Sequence, residues 1–319
     1  MSHTWFRFLR FLGWALLSLC LVTACQGNFS ADTPQNCRAI AHVKGETCVP
    51  QTPKRVVVLH DYLGLDAVLA LGVQPVGAVG TVGSSSPFPP WLAEKTQGVE
   101  LVGTPQQPNL EKIVTLQPDL IITLENEGHQ EIYRELSQIA PTVIIPSQRE
   151  LFPELTFLGK VLGQPEKAQA LQDRYQQRLQ EFRDAMGEER LQELEVSLVR
   201  FLPDGVRIEG TSYNVGKILQ DAGLKRPPEQ QIERPLQVSL EQIEMIDGDV
   251  MFANTIANPQ LQSAANQTLQ RYKQHPLWSK LKAVQRDRVY EVDPYLWSGN
   301  GILWSYEIIE ELFQYLVET

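Results

Sequence analysis

Val56-Val57-Val58-Leu59 is an unbroken β-branched run, flanked by Lys54-Arg55 and by His60-Asp61. Strand-length runs with no polar alternation mark a strand covered on both faces, the condition of a parallel sheet sheathed in helices. The segments that follow repeat this demand. Leu63 to Leu71 reads as a helix stopped by Gly72, and residues 76–79, 99–102, 120–124 and 142–145 are further short β-prone runs. Between them, Pro108-Asn109-Leu110-Glu111-Lys112-Ile113 opens a helix with Asn109 or Thr104 as its cap, and residues 129–139 read as another. Alternating strand and helix predicts a mostly parallel sheet with helices on both sides. Ligands of such sheets collect beyond the carboxyl ends of the strands, which singles out His60, Asp61, Glu125 and Asn126.

A second unit of the same character follows. Residues 149–162 and 166–186 read as helices, the latter with apolar residues at 168, 171, 175, 179, 182 and 186. Twenty-one helical residues span about 30 Å, enough to connect two lobes, although a plain surface helix has the same periodicity. Residues 196–210, VSLVRFLPDGVRIEG, form a predicted hairpin around Pro203-Asp204-Gly205, and Arg200 and Arg207 flank its turn. A guanidinium suits oxygen-rich anions, but arginines on a strand edge also serve as solubilising charge, and the hairpin alone does not decide. Tyr213 to Gln220 reads as a helix stopped by Gly223, and Ser239 caps a short one beginning Leu240-Glu241. Residues 249–253 and 289–292 read as strands and residues 302–316 as a final helix. The expected fold is α/β, two lobes each with a mostly parallel central sheet, at residues 37–164 and 195–319, joined by a long helix at 165–187.

The N-terminus predicts export. Arg7 and Arg10 precede the apolar run Phe11 to Val22, which is too short for a spanning helix of roughly 20 residues and reads as a secretory leader. Leu21-Val22-Thr23-Ala24-Cys25 resembles a lipobox, so residues 1–24 are expected to be removed, Cys25 to carry lipid, and residues 25–36 to be a tether. An ordinary signal peptide with an incidental cysteine is the plainer alternative. Cys37 and Cys48 then remain, with ten residues between them, suited to a disulfide across a hairpin in an oxidising compartment. Loss of the leader leaves 26 basic against 38 acidic residues. So acidic a chain is not drawn to an anionic membrane by charge, and the lipid is expected to hold it there. With a pI near 5.1 and 8% aromatic residues, a large nucleic-acid surface is not expected.

Enzyme readings find little support. No G-x-S-x-G, Walker loop or H-E-x-x-H is present. Glu125 and Glu127 read more readily as a solvated loop than as an acid–base pair, and His42, His60, His129 and His275 show no local metal-ligand spacing. Trp297, in Pro294-Tyr295-Leu296-Trp297-Ser298-Gly299-Asn300-Gly301, follows a strand on a glycine loop. A cleft-facing indole and a core indole compete there. Phe88 and Trp91, on a Gly-Pro loop, are candidates for an opposing wall.

Lys54 to Leu59, Leu65 to Gly77, Pro108 to Ile113 with Leu116 to Ile122, and Ile139 to Val143 together resemble the iron-siderophore substrate-binding proteins of bacterial ABC importers. Val196 to Phe201, Leu219 to Pro227, Leu277-Trp278 with Leu281 to Val284, and Val289 to Val292 extend the resemblance over nearly all of residues 37–316. It implies the helix-linked fold of the ferrichrome- and cobalamin-binding type, with ligand between the lobes, modest closure, no catalysis and no cofactor or resident metal. The ligand is then a ferric siderophore, contacted in order of preference by Arg200, Trp297 and Tyr213, with His60, Trp91, Phe88 and Arg207 as further candidates. Glu111 and Glu241 match the acids that dock on permease arginines, so the partners are an importer's permease and ATPase, reached by a periplasmic, lipid-anchored monomer. Haem or cobalamin binding on the same fold, and a surface-anchored hydrolase or metal-handling enzyme, are the alternatives.

Overall fold

The computed structural model describes residues 37–60, 63–80, 86–124, 128, 131–146, 151–212 and 214–318. The leader, Cys25 and the tether fall outside them, as do Asp61, Glu125, Asn126, Glu127, His129 and Tyr213. The described chain begins with a hairpin of β1 (Cys37–His42) and β2 (Gly45–Pro50), closed by the Cys37–Cys48 disulfide.

The first large sheet contains β3 (Val56–Leu59), β4 (Gly77–Ala78), β5 (Glu100–Leu101), β6 (Leu120–Leu124) and β7 (Thr142–Ile145). Helices α1 (Leu63–Ala70), α2 (Leu110–Thr115) and α3 (Tyr133–Ile139) alternate with these strands. The spatial order is β5-β4-β3-β6-β7 and every pairing is parallel. All four residues of β3, the central strand, are completely buried, as its unbroken apolar run requires. Asn109 caps α2, its side chain accepting from the Lys112 N–H at 3.0 Å.

Helices α4 (Leu151–Leu162), α5 (Pro165–Met186) and α6 (Glu188–Glu193) lead to the second sheet. Arg38 of the hairpin donates to the Lys160 and Val161 carbonyls at the end of α4, at 3.2 and 2.8 Å, satisfying groups that a helix terminus leaves open. The second sheet is built from β8 (Val196–Leu202), β9 (Gly205–Ile208), β10 (Leu236–Val238), β11 (Val250–Thr255) and β12 (Val289–Glu291), in the order β10-β9-β8-β11-β12. The pairings of β11 with β8 and β12 are parallel, whereas the β8–β9 and β9–β10 pairings are antiparallel because the hairpin turn reverses the chain. Helices α7 (Asn214–Asp221), α8 (Pro259–Lys273), α9 (Lys282–Gln285) and α10 (Ile302–Leu316) complete the fold. No helix among the described residues is long and apolar enough to cross a membrane.

Each sheet turns one face to a shared core and the other to a core of its own. Val56 and Val58, Leu120 and Ile122, Val196 and Leu198, and Val250 and Phe252 all belong to one cluster, joined by apolar side chains of α1, α4, α5, α7 and α10. Val57, Leu59 and Ile121 instead pack towards α2 and α3. Val199, Phe201 and Ala253 pack towards α8 and the short helical turn at Leu240–Ile246. Residues 38–319 accordingly form one compact unit, with apolar contact running unbroken from one sheet to the other.

Candidate functional site

In both sheets the strand order reverses at the middle. Chain connections leave β3 towards β4 on one side and return to β6 on the other, and β8 and β11 stand in the same relation. Such a reversal opens a crevice at the carboxyl ends of the two strands, because the loops that follow them diverge. The residues there continue the shared-core face. Two positions beyond Val58 lies His60, two beyond Leu198 lies Arg200, and two beyond Phe252 lies Asn254. Side chains alternate along a strand, so all three extend an apolar face with a polar end.

Arg200 and Asn254 are register partners on adjacent strands, and both donate to the Trp297 carbonyl, each at 3.4 Å. Asn254 is 2% exposed and its Oδ1 accepts no hydrogen bond. Across the hairpin Arg200 is opposite Arg207. Between the two lies Glu209, one residue beyond β9 and 2% exposed. Its Oε1 forms an ion pair with Arg200, 3.1 Å from Nε, and accepts hydrogen bonds from Arg207 Nε and Nη2 at 3.2 and 2.9 Å. Arg226 lies behind, donating to the Glu209 main-chain oxygen at 3.1 Å and to Gln230 Oε1 at 2.9 Å. Burial pushes Arg226 down to about 10, with Glu209 opposing, so it is still a cation at neutral pH.

Arg207, which the sequence left between ligand contact and surface charge, thus belongs with Arg200. Glu209 and Asn254 were missed. The signal for Glu209 is the alternation Arg207-x-Glu209 on one strand face, and that for Asn254 is its pairing with Arg200; both are readable only with the strand register.

His60 lies 3.7 Å from Glu154 of α4, through Nε2 and Oε1, and its side chain is 11% exposed. Burial pushes the Glu154 carboxyl up to about 7, with the His60 charge opposing. Trp297 and Phe88 are corrections to the aromatic walls expected from the sequence. Trp297 is 1% exposed, its ring 4.5 Å from that of Phe252, and its Nε1 donates to Glu311. The loop carrying it is a short helical turn over the core at Leu296–Ser298, so what it offers the crevice is its carbonyl. Phe88 is 5% exposed and packs into the shared core with Leu92. Trp91 is half-buried against the same core.

Glu111 and Glu241 are both exposed, in the first turns of α2 and of the turn at Leu240–Ile246. The Glu241 carboxyl is held below its usual range by its own backbone N–H and by Ser239. Among the described residues no three His, Cys, Asp or Glu side chains converge as a metal-holding group.

Comparison with known proteins agrees with the fold. The probable siderophore-binding lipoprotein YfiY of Bacillus subtilis is 31% identical over 321 residues, covering 95% of this chain and 96% of that protein. The Fe(3+)-citrate-binding protein YfmC of the same organism is 29% identical, covering 89% and 88% of the two chains. Among solved structures, Staphylococcus aureus SirA complexed with staphyloferrin B superposes with a TM-score of 0.75 at 28% identity, covering 88% of this chain and 98% of that one. The model of the periplasmic binding protein family matches residues 57–296, and the chain belongs to that family.

Proposed function

We propose that this chain is the exported, lipid-anchored binding component of an ABC importer and captures a ferric siderophore between the carboxyl ends of its two sheets. In this reading residues 37–164 and 195–319 are the two halves of the receptor, the helix at 165–187 connects them, and Cys25 bears the lipid. Relatives named as siderophore- and Fe(3+)-citrate-binding proteins, similar over most of their length, support it. The observation that carries it is the pairing of Arg200 with Asn254 where the strand order of the second sheet reverses. Donors placed there suit a bulky chelate whose outer surface is oxygen and whose iron is already saturated by its own ligands. The protein then supplies hydrogen bonds and charge, and performs no reaction on the cargo.

Glu111 and Glu241 are the proposed contacts to permease arginines. Their exposure supports this, and it suits equally their complementing of the helix-end dipoles. Reversing both charges is expected to abolish uptake by cells while leaving ligand affinity unchanged. A parallel loss of affinity would remove the docking role.

Titration of the purified mature chain with ferric citrate, a ferric tris-catecholate, ferrichrome, haem and cobalamin, followed by tryptophan fluorescence, tests the reading. Saturable binding of at least one ferric complex, with none of haem or cobalamin, is expected. Binding of haem or cobalamin alone would assign the same fold to another chelate, and turnover of any ligand would revive an enzyme.

A further inference from the structure

The disulfide-closed hairpin of β1 and β2 bears on how the folded body stays joined to its membrane, on the premise that Cys25 carries lipid. We infer that Lys44–Gly45 is the first peptide bond beyond the lipid open to a trypsin-type protease, and that the Cys37–Cys48 disulfide keeps the body attached when that bond is cut.

Residues 26–36 contain no Lys or Arg, so a protease that requires a basic side chain has no site between the lipid and the fold. Arg38 is the first basic residue after Cys25, and its guanidinium is occupied. It donates to the Pro50, Lys160 and Val161 carbonyls at 3.1, 3.2 and 2.8 Å, to Gln51 Oε1 at 3.0 Å and to the Gln51 carbonyl. Gly163 leaves room for it, since a Cβ there would meet Arg38 Nη1 at 2.8 Å. A protease would have to strip all these charged hydrogen bonds before its specificity pocket could take the side chain. Lys44 is the next basic residue. It lies in the turn at Val43-Lys44, and residues 43–46 are all exposed. Exposed loop tips are where nicking concentrates, and the tip belongs to a sheet of only two strands, which resists fraying weakly.

Hydrolysis at this bond adds one water across it, leaving a carboxylate on Lys44 and an amine on Gly45. The main chain from lipid to body is then broken. A second covalent path remains, because Cys37 precedes the cut, Cys48 follows it, and the reaction does not touch their S–S bond. Without that bond the lipid-bearing piece, residues 25–44, is held only by the six residues of β1, through the strand pairing, the buried Ile40 and the Arg38 hydrogen bonds. Such contacts suffice while the turn holds the two strands at high effective concentration, and a cut removes that advantage. The disulfide restores it, and an oxidising compartment preserves the disulfide.

The test uses membranes from cells making the full chain. They are treated with limited trypsin without reductant, the fraction of receptor body sedimenting with them is measured, and the cut is located by its new N-terminus. The first cut is expected at Gly45, with the body remaining on the membranes and leaving them when a thiol reductant is added. Lys44→Gln is expected to prevent that release, and the pair Cys37→Ser with Cys48→Ser to lose the body on trypsin alone. The reductant arm uses the unaltered protein, so it holds even if the paired variant fails to fold. Release by trypsin without reductant would overturn the role of the disulfide, as would retention of the cut body after reduction. A first cut elsewhere, with Lys44–Gly45 intact, would overturn the site. A body that does not sediment with the membranes before trypsin would remove the lipid anchor and this inference with it, leaving the capture of a ferric complex untouched.

Discussion

Two carboxylates of this molecule are almost equally buried and do opposite things. Asp66 of α1 is 1% exposed and is held by backbone amides; its Oδ1 accepts the Leu303 N–H at 3.0 Å and its Oδ2 the Trp304 N–H at 3.1 Å. Those amides are in the first turn of α10, so a side chain from the first half of the sequence caps the last helix. The approach is close. Gly301 has φ 134°, and a Cβ built on it would meet the Asp66 Cγ at 2.2 Å. Glu209 instead is surrounded by guanidiniums on flexible stems. Backbone amides are fixed by the helix, so a carboxylate bound to them makes a joint. Arginine side chains are long and jointed, so a carboxylate bound to them makes a less rigid link. The joint is reinforced along α10, where Tyr306 donates to the Leu171 carbonyl at 2.7 Å and Arg178 of α5 grips Glu310 through two bonds at 2.7 and 2.6 Å.

Removing each support should affect a different quantity. Asp66→Ala unpairs two amide donors beneath a core helix and is expected to cost about 3 kcal/mol in denaturant unfolding, with ligand affinity of the folded protein unchanged. An unaltered midpoint would mean that α10 is capped without it. Arg200→Ala reverses the pattern, weakening the ferric complex by about 1.5 to 3 kcal/mol with a small change in stability. An unchanged dissociation constant would remove Arg200 from the site.

Titration sharpens the contrast further. Burial raises the Asp66 carboxyl to about 7 against the pull of the helix amides, and raises Glu154 to about 7 against His60. A carboxyl whose folded value lies above its unfolded one favours the protonated native state. Its contribution is complete below about pH 4 and is lost as pH rises through about 7. The unfolding midpoint is therefore expected to fall between about pH 4 and 7 from these two groups, and Asp66→Asn to flatten that slope. An equal slope in the variant would show that Asp66 titrates alike in the folded and unfolded chain.

What the sequence made legible follows the range of the forces involved. Burial on both faces is a local demand, so the β3, β6 and β7 runs and the final helix at residues 302–316 could be read from their own residues. Helix α8 is not legible from its own residues because nine of its 15 are Gln, Ser, Asn, Thr, Arg or Lys, although Asn258 as cap and Pro259 at its first position are signals available in the sequence. The Asp66 cap joins residues 237 apart, and no periodicity encodes that pairing. Glu209 becomes visible only when register brings Arg200 opposite Arg207. Trp297 was ambiguous for a related reason: a glycine-flanked loop gives no information on whether its indole turns towards solvent or core.

That ambiguity leaves the smallest effect to measure. The indole of Trp297 is tilted 31° against the Phe252 ring and its N–H is used on Glu311, whose carboxyl burial raises above its usual range. Trp297→Phe keeps an aromatic in the core, removes the donor and leaves the main-chain carbonyl that Arg200 and Asn254 share. A loss of about 1 kcal/mol in stability is expected, from the unpaired Glu311 oxygen and the smaller ring. Ligand affinity should hold, because the ring is 1% exposed and the proposed site would meet only the backbone of residue 297. If affinity falls with stability unchanged, the indole contacts cargo, and the polar end of the second sheet has an aromatic partner after all.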